Sequence, residues 1–460
     1  MILRPYQDRD ADLIRASYRA GKRAPLYVAP CGSGKTVLFA FICRGAQRKG
    51  RKVLILCHRT ELVDQISAAL KQFEVPHGII SAGYDYRPHL PVYVASVFTL
   101  VRRAGLFSPD LTIIDEAHHC VETTTWGKVV ARGRLGRLLG VTATPCRLSG
   151  EGLGGIFDDL ILGPTAGYLI ENGYLSPLRT FAPPTINTAQ LHSRMGDFMH
   201  GELVELVDNA SITGSAVEHY KRLADGKQAA VFCVSIEHAQ HVAKQFREAG
   251  YSAESVDGKL DRTIRRQIIG GFTRGETKII TSCDLISEGF DCPRIEVGIS
   301  LRPTQSLGLW LQQCGRILRP FPGKESALLL DHSGNCLRHG LPTDTRTWSL
   351  AGVDKAARAD KPAGSVRVCP ACFSAQSSRL PKCGGCGHLF AIEARTIAEK
   401  EGELEEMTSE QLAARRTRIE QGMTRDLAAL TALGKLRNYA NPERWAQHVW
   451  EARQLKKKRA

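Results

Sequence analysis

Short apolar segments alternate with longer amphipathic segments between Leu26 and about Gly140. The short segments are apolar along most of their length instead of on alternate residues, which is typical of parallel strands covered on both faces. The pattern therefore predicts an α/β domain built on a parallel sheet. Its predicted strands are Leu26–Ala29, Val53–Leu56, Val92–Ala95, Leu111–Ile114 and Leu138–Val141.

The same pattern returns in the second part of the chain, with an amphipathic helix predicted over 237–249. A boundary near Ser176-Pro177 divides the two parts, so we predict one α/β domain over 1–177 and a second over 178–345. The small, polar residues of 345–366 are typical of a linker. The second set of predicted strands is Ala229–Cys233, Lys278–Thr281, Val297–Ser300 and Ala327–Leu330.

The length and the charge of the chain favour a protein of several domains with a polyanionic partner. The 460 residues exceed one compact core, and 62 Lys and Arg against 47 Asp and Glu give a net charge of +15. Such a charge favours a nucleic-acid partner, although a basic surface alone also explains it. No stretch is apolar enough to cross a bilayer and the start, MILRPYQDRD, does not resemble a signal peptide, so we expect no membrane partner and a cytoplasmic location.

A glycine-rich segment, Ala29-Pro-Cys-Gly-Ser-Gly-Lys35-Thr36, follows the first predicted strand and opens a predicted helix. It matches a P-loop, with Ala29 where the strict pattern has Gly. In such a loop the amides point at phosphate oxygens, the Lys35 ammonium neutralises the β and γ phosphates, and the Thr36 hydroxyl binds Mg²⁺. The segment predicts a site for ATP and Mg²⁺, formed by Gly32, Ser33, Gly34, Lys35 and Thr36.

Two adjacent acids, Asp115 and Glu116, end the predicted strand that begins at Leu111. Phosphoryl transfer uses one carboxylate in the Mg²⁺ shell and a neighbouring carboxylate to orient and deprotonate the attacking water. Paired acids are usually solvated surface, but these follow a buried strand and lie downstream of a P-loop. We therefore predict Asp115 as the magnesium ligand and Glu116 as the catalytic base.

The tetrapeptide Asp115-Glu-Ala-His118 resembles the signature of the DEAH-box branch of superfamily 2 helicases. This resemblance implies two tandem RecA-like domains that hydrolyse ATP between them. Leu3-Arg-Pro-Tyr-Gln7 resembles the family's adenine-reading segment, which implies that Gln7 hydrogen-bonds the base. Three further segments resemble family motifs. His58–Leu62 and Val94–Thr99 resemble the motifs that hold the nucleic-acid backbone, and Thr142-Ala-Thr144 resembles the motif that links the ATP state to strand movement.

Two segments of the second predicted domain extend the resemblance. Ser287-Glu-Gly289-Phe-Asp291 resembles motif V, which implies that Gly289 and Asp291 lie near the nucleotide. Gln312-Gln-Cys-Gly315-Arg316-Ile-Leu-Arg319 resembles motif VI, which implies that Arg316 and Arg319 are arginine fingers. Their guanidinium groups would stabilise charge on the transferring phosphoryl group when the domains close. Without the resemblance, two arginines three residues apart on a helix would more often be a solvated face.

Weaker cues resemble the RadD-like, or YejH-like, group of bacterial and phage proteins. They are Gly173-Tyr-Leu-Ser-Pro177, Asp331-His-Ser-Gly-Asn335, Trp445-Ala-Gln-His and a four-cysteine element after motif VI. The resemblance implies a helicase or translocase acting on duplex, single-stranded or branched DNA, in repair or recombination, with repair proteins that recruit it. It also implies a bacterial nucleoid or a phage-infected host cytosol as the location.

Three other functions stay open on the sequence alone. They are a nucleic-acid-binding module that ATP merely switches, the motor subunit of a restriction or nuclease complex, and an RNA helicase. The intact Glu116 and Arg316 argue against the first. Backbone contacts dominate the grip of such motors, so the sequence does not distinguish DNA from RNA.

Only four of the fourteen cysteines are grouped, as Cys369-Pro-Ala-Cys372 and Cys383-Gly-Gly-Cys386. Two such pairs can close a tetrahedral site of four thiolates, so we predict a structural Zn²⁺ in a zinc ribbon over 365–392. Two disulfides or a redox pair fit a cytosolic protein less well. The flanking cations either touch phosphates or are simply solvated; they are Arg367, Arg379 and Lys382.

Residues 393–460 form a predicted helical, basic tail, with helix-favouring residues over 396–435 and Lys456-Lys-Lys-Arg459 near the end. Trp445, His448 and Trp450 recur at helical spacing, which favours a small packed helix over a nucleic-acid contact. The final basic run could bind DNA or be solvated.

Overall fold

The fold is that of a computed structural model in which the chain forms two units, 1–392 and 393–460. No helix among the described residues is long and apolar enough to cross a membrane. The structure describes residues 3–102, 107–120, 124–131, 135–147, 150–182, 193–194, 197–198, 210–283, 292–352, 366–390, 424, 426–437, 439 and 441–459.

Seven parallel strands form the first sheet, in the order β3-β4-β2-β5-β6-β1-β7. All five strands predicted from the apolar segments of this region are present, and β3 and β7 are additional. The strands are β1 (Pro25–Val28), β2 (Val53–Cys57), β3 (Gly78–Ile80), β4 (Val92–Ser96), β5 (Leu111–Asp115), β6 (Arg137–Thr142) and β7 (Asp159–Leu162).

Helices cover this sheet on both faces, and the central strand β2 shows why its sequence is apolar throughout. Val53, Ile55 and Cys57 enter the hydrophobic cluster on one face. Leu54 and Leu56 enter the cluster on the other face. The helices of this region are α1 (Pro5–Arg19), α2 (Lys35–Arg48), α3 (Thr60–Gln72), α4 (Val97–Arg102) and α5 (Thr125–Ala131), with a short 3₁₀ helix at Ala117–His119. The following helix, α6 (Ala166–Glu171), places Leu169 in a hydrophobic cluster of the second sheet.

The second sheet has eight strands, in the order β12-β13-β11-β14-β15-β8-β17-β16. The first six are mutually parallel, which confirms a second α/β region of the predicted class. The strands are β8 (Leu178–Phe181), β11 (Ala229–Phe232), β12 (Ala253–Ser255), β13 (Ile279–Ser282), β14 (Val297–Ser300), β15 (Ala327–Asp331), β16 (Val366–Val368) and β17 (Ser374–Ser377); β9 (Ser193–Arg194) and β10 (Asp197–Phe198) form a separate antiparallel pair.

The described residues between 210 and 339 form five helices beside the second sheet, including the amphipathic helix predicted over 237–249. One of them, α10, carries the motif VI residues from Gln312 to Arg316, and Arg319 follows the end of this helix. The Ser306 side chain caps the start of α10 by accepting a hydrogen bond from the Leu309 amide at 3.1 Å. The helices are α7 (Ala210–Ala224), α8 (Ile236–Glu248), α9 (Arg262–Arg274), α10 (Leu307–Ile317) and α11 (Asn335–His339).

The cysteine-rich element joins the second sheet through strand β17. Ser374 and Ala375 of β17 pair antiparallel with Phe181 and Thr180 of β8, and β16 pairs with β17. The element therefore continues the second sheet instead of forming a ribbon apart from it. The sequence pattern did not indicate this connection, because the pairing joins residues almost 200 positions apart.

Residues 341–352 lead from the second sheet back to the first. The Gly154 amide donates to the Leu350 carbonyl at 2.9 Å, and Gly352 forms an antiparallel bridge with Glu151. Trp348 and Leu350 pack against a hydrophobic cluster of the first sheet. The linker predicted over 345–366 is therefore wrong for 345–352, since two large apolar side chains interrupt its polar composition and bind it to the first α/β region.

The C-terminal unit contains α12 (Leu427–Leu436) and α13 (Pro442–Arg459). Asp426 caps α12 through a hydrogen bond from the Ala429 amide at 2.7 Å. The Trp445 ring lies 4.9 Å from the Tyr439 ring, which confirms the predicted packing of this tryptophan. Most of the helix-favouring stretch predicted over 396–435 lies outside the described residues.

Candidate nucleotide site between the two sheets

The P-loop occupies the turn between β1 and α2, at the carboxyl end of the first sheet. Gly32 and Gly34 take φ angles of +82° and +77°, a left-handed conformation that glycine adopts without steric cost. The Lys35 ammonium donates to the carbonyls of Ala29 and Pro30, at 3.1 and 3.2 Å. Lys35 and Thr36 open α2, so the amides at the start of this helix face the loop.

The N-terminal segment packs directly on this loop. The Gln7 amide group donates to the Gly34 carbonyl at 3.1 Å, and its oxygen accepts from the Arg4 amide at 3.0 Å. The Tyr6 hydroxyl donates to the Ser33 carbonyl at 2.7 Å. Gln7 therefore lies beside the P-loop, as the resemblance implied, and its contact with a base stays a prediction. Tyr6 is a residue of this site that sequence reasoning missed.

Asp115 and Glu116 lie at the carboxyl end of β5, beside the P-loop. Both are buried, and burial followed by the neighbouring Glu116 carboxylate raises the pKa of Asp115 to about 7. The Lys35 ammonium and the Arg316 guanidinium oppose this increase. Glu116 takes a φ of +50°, which is uncommon for a residue other than glycine and is often found at functional sites. Two buried carboxylates side by side form a site suited to a cation.

Helix α10 of the second sheet faces this acidic end of β5. Arg316 is only 8% exposed, and its charge acts on Asp115 of the first sheet. Gly315 packs against the P-loop so closely that an added Cβ would lie 2.1 Å from the Cβ of Cys31. Glycine is therefore required at position 315 to let the helix approach the loop.

Arg319 lies at the P-loop as well. Its Cγ is 3.7 Å from the position that a Cβ on Gly32 would occupy, and burial lowers the pKa of Arg319. The carbonyl of Arg319 accepts hydrogen bonds from Ser176 and Lys324, at 3.3 and 2.8 Å. The structure thus brings both predicted arginine fingers to the same cleft as the P-loop and the acidic pair.

A chain of hydrogen bonds connects the two sheets beside the acids. The Gln312 amide nitrogen lies 3.3 Å from Nε2 of His118, and Nδ1 of His118 lies 3.1 Å from the Thr142 hydroxyl. Because the amide donates, the imidazole proton belongs on Nδ1, where Thr142 accepts it. The Thr142 hydroxyl in turn donates to the Thr144 carbonyl at 3.0 Å. The DEAH histidine therefore links α10 to the Thr142-Ala-Thr144 segment.

The segments that resemble backbone-holding motifs follow β2 and β4. The His58 and His119 rings lie 4.5 Å apart, and the His119 ring lies 4.1 Å from that of His118. The strand-end residues at His58 are thus adjacent to the DEAH segment. Gly289 and Asp291, predicted near the nucleotide, lie outside the described residues.

The four grouped cysteines converge as their spacing predicted. Their sulfur atoms all lie within 4.8 Å of one another, with Cys369 to Cys386 and Cys372 to Cys383 both at 3.6 Å. Tetrahedral zinc with Zn–S bonds of about 2.3 Å sets sulfurs about 3.8 Å apart, whereas a disulfide needs about 2.0 Å. The sulfur positions therefore fit a four-coordinate metal and no disulfide joins them.

Two protein-family models match the chain in the regions that form this cleft. Residues 1–147 match the model described as "Type III restriction enzyme, res subunit". Residues 214–320 match the model "Helicase conserved C-terminal domain". The two matches cover the P-loop and DEAH segments on one side and α10 on the other.

Sequence relatives extend beyond these two regions. A 51.5 kDa protein of a Lactococcus phage is 34% identical over 371 residues, which is 80% of this chain and 78% of the relative. The putative ATP-dependent helicase IRC3 of Saccharomyces cerevisiae is 29% identical over 356 residues, or 72% of this chain. The match spans only 52% of the length of the yeast protein.

Solved structures show the same fold at low sequence identity. A fragment of a putative HsdR subunit of a type I restriction enzyme from Vibrio vulnificus matches 74% of this chain and 67% of that chain, with a TM-score of 0.58 and 22% identity. The Type ISP restriction-modification enzyme LlaBIII, bound to DNA, matches 73% of this chain and 28% of its own, with a TM-score of 0.55 and 17% identity. Together with the family models and the phage relative, these likenesses show that the chain belongs to the superfamily 2 helicases, ATP-hydrolysing enzymes that depend on nucleic acid.

Proposed function

We propose that this helicase is a DEAH-box motor of the RadD-like group that moves along or remodels DNA, in repair or recombination. The observation that carries the proposal is the position of α10, whose Gly315 packs against the P-loop of the first sheet and whose Arg316 is buried beside this contact. An ATPase whose site is split in this way can convert hydrolysis into relative movement of two domains. The net charge of +15 favours a nucleic-acid track, and the structural similarity to DNA-bound LlaBIII supports the choice of DNA.

The ATP site would be assembled mainly by the first sheet. ATP would replace the Ala29 and Pro30 carbonyls around Lys35 with its β and γ phosphate oxygens, while the amides of Gly32, Ser33 and Gly34 bind the remaining oxygens. Thr36 and Asp115 would hold Mg²⁺, which when bound neutralises charge developing on the phosphates. The two buried carboxylates and the raised pKa of Asp115 fit a site that binds a cation.

Hydrolysis would then use one residue from each side of the cleft. Glu116 would accept a proton from the attacking water, and Arg316 would stabilise negative charge on the γ-phosphoryl group. Arg319 lies next to Gly32 and would act with Arg316 when the cleft closes.

Gly289 and Asp291 would approach the nucleotide from the second domain. Gln7 would read the adenine base from its position beside the P-loop.

The cysteine element would hold a structural Zn²⁺ through all four thiolates. Four protein ligands leave no open position for water, so the metal would stabilise the element and take no part in hydrolysis. The proposed location is the cytoplasm of a bacterium or of a phage-infected host, where the thiols stay reduced, and repair proteins would recruit the motor.

A second candidate function is the motor of a restriction complex. The match to the restriction-enzyme model and the likeness to the HsdR fragment favour it. Such a motor would act together with a nuclease, which a partner could supply. It would use the same ATP site and the same DNA track.

The test is the steady-state ATPase rate of the full chain, alone and with single-stranded, duplex and forked DNA, and with RNA of the same sequences. The blank is Glu116→Gln, which should bind ATP but turn over about a hundredfold or more slowly, because it lacks the base. Stimulation by DNA above the blank supports the proposal. Stimulation by RNA alone would refute the DNA assignment, and no stimulation by any polymer would refute the motor.

A further inference from the structure

The cysteine-rich segment of residues 366–390, the zinc element, contains two cysteine knuckles with the same backbone hydrogen bonds. In the first knuckle, the Phe373 amide donates to the Cys369 carbonyl at 2.9 Å, and the Cys369 amide donates to the Ser374 carbonyl at 3.0 Å. In the second, the Gly387 amide donates to the Cys383 carbonyl at 2.9 Å, and the Cys383 amide donates to the His388 carbonyl at 2.8 Å. Phe373 and Gly387 are therefore equivalent positions.

These equivalent positions share a left-handed backbone but differ in side chain. Gly387 takes a φ of +75°, which glycine adopts without strain, and Phe373 takes a φ of +59°. A bulky residue in this conformation is strained by its Cβ, so a glycine would suit position 373 better. The first knuckle nevertheless carries a phenylalanine there. A strained residue that a glycine could replace points to a role for its side chain.

The Phe373 side chain does not fill the core of the element. The residue is 41% exposed, whereas the core residues Cys369 and Ala375 on either side of it are buried. The backbone at Phe373 is well fixed, because its carbonyl accepts a hydrogen bond from the Ala182 amide at 3.1 Å, and Ser374 pairs with Phe181 of the second sheet. The ring is thus presented to solvent from a rigid support on the motor domain.

The charged residues of the zinc element indicate the kind of partner. Residues 366–390 contain Arg367, Arg379 and Lys382 but no Asp or Glu. A Zn²⁺ with four thiolates would carry two negative charges at the centre of the element, and the three cations outweigh them. Arg379 and Lys382 are exposed. An exposed aromatic ring on an element that also carries exposed cations is a combination suited to single-stranded nucleic acid, which stacks its bases on rings and pairs its phosphates with cations.

We propose that the zinc element is a second nucleic-acid contact of the motor, in which Phe373 stacks on a base of a single strand while Arg379 and Lys382 contact its phosphates. The inference rests on the proposed function, since it requires a motor that binds nucleic acid. It adds a contact outside the ATP cleft and on the edge of the second sheet. The strand would therefore be bound by a surface that moves with α10.

The test is the affinity of the full chain for a fluorescent single-stranded oligonucleotide, compared between wild type and Phe373→Gly. The substitution copies Gly387 and relieves the strained backbone, so the zinc content should be unchanged. We expect affinity to fall about fivefold or more, since stacking on one base contributes about 1–3 kcal/mol. Phe373→Trp should retain or increase the affinity, whereas Phe373→Leu should lose it because leucine has no ring face.

The control variant is Leu389→Ala, which removes another exposed apolar side chain of the same element, 74% exposed, without removing a ring. It should bind the oligonucleotide as wild type does. Equal affinity of wild type and Phe373→Gly, with wild type binding well, would overturn the zinc-element contact alone. Failure of wild type to bind any nucleic acid would instead overturn the proposed function. The ATPase rate without nucleic acid should also stay unchanged in Leu389→Ala.

Discussion

The two parallel sheets differ in what fills the space at their carboxyl ends. In the first, the ends of β1 and β5 present the P-loop and two buried acids. In the second, the ends of β14 and β15 are filled by side chains that bind one another. The Asn335 amide donates to Ser300 and Ser333, at 3.2 and 2.9 Å, and Asp331 accepts from Ser333 at 3.0 Å.

This difference shows how one fold can contribute two distinct halves of a single site. The described polar groups at these strand ends of the second sheet satisfy one another. Its contribution comes from α10, which places Gly315 against the P-loop and Arg316 near Asp115. The first sheet would bind ATP, and the second would complete the site for hydrolysis.

The largest effect should come from removing the charge that the second sheet supplies. Arg316→Ala should lower the ATPase rate by about a thousandfold, the contribution typical of an arginine finger. Arg316→Lys should restore little of the rate, because an ammonium does not reproduce the planar, two-pronged guanidinium. Arg266→Ala, which removes an exposed arginine of α9, is the matched control and should leave the rate unchanged.

A smaller loss of ATPase rate, about a hundredfold, should follow from Lys35→Ala, which removes the ammonium group at the P-loop. Loss of one fixed cation at the phosphates has this typical cost, and it should also weaken ATP binding. Lys49→Ala, at the exposed end of the same helix, serves as the control in a parallel titration of rate against ATP concentration. Substantial turnover by Lys35→Ala would show that this P-loop does not bind the phosphates.

The smallest effect concerns the hydrogen bond that joins the sheets. Gln312→Ala should reduce nucleic-acid-stimulated ATPase by about two- to tenfold, the equivalent of one neutral hydrogen bond. Gln313→Ala is the matched control on the same helix, since the Gln313 amide is buried without a hydrogen-bond partner in the structure. An equal loss in both variants would indicate damage to α10 rather than loss of the His118 contact.

Sequence patterns predicted the strands whose residues are buried on both faces, such as β2 and β11, because continuous apolar character is visible locally. They missed β7, an edge strand that leaves Leu162 47% exposed, and the short strands β3 and β12. Short or half-exposed strands have no continuous apolar segment to detect. The fold class could thus be predicted from the sequence, and the edge strands of the sheets could not.

In the candidate site, too, features encoded in a contiguous segment could be predicted and features that depend on tertiary packing could not. Lys35, Asp115 and Glu116 could be predicted because their motifs are contiguous and follow predicted strands. The Tyr6 hydrogen bond to Ser33 and the close approach of Gly315 to Cys31 could not, since both depend on how distant segments pack. The role of Arg316 came from a family resemblance, and its position across the cleft is a fact of tertiary structure.

The central claim is that the second sheet completes an ATP site built by the first. The most direct measurement compares ATP affinity with the single-turnover hydrolysis rate for Arg316→Ala and wild type, in the presence of DNA. We expect the variant to bind ATP almost as tightly as wild type does and barely to hydrolyse it. A hydrolysis rate equal to that of wild type would contradict the account, because the first sheet would then suffice for the reaction.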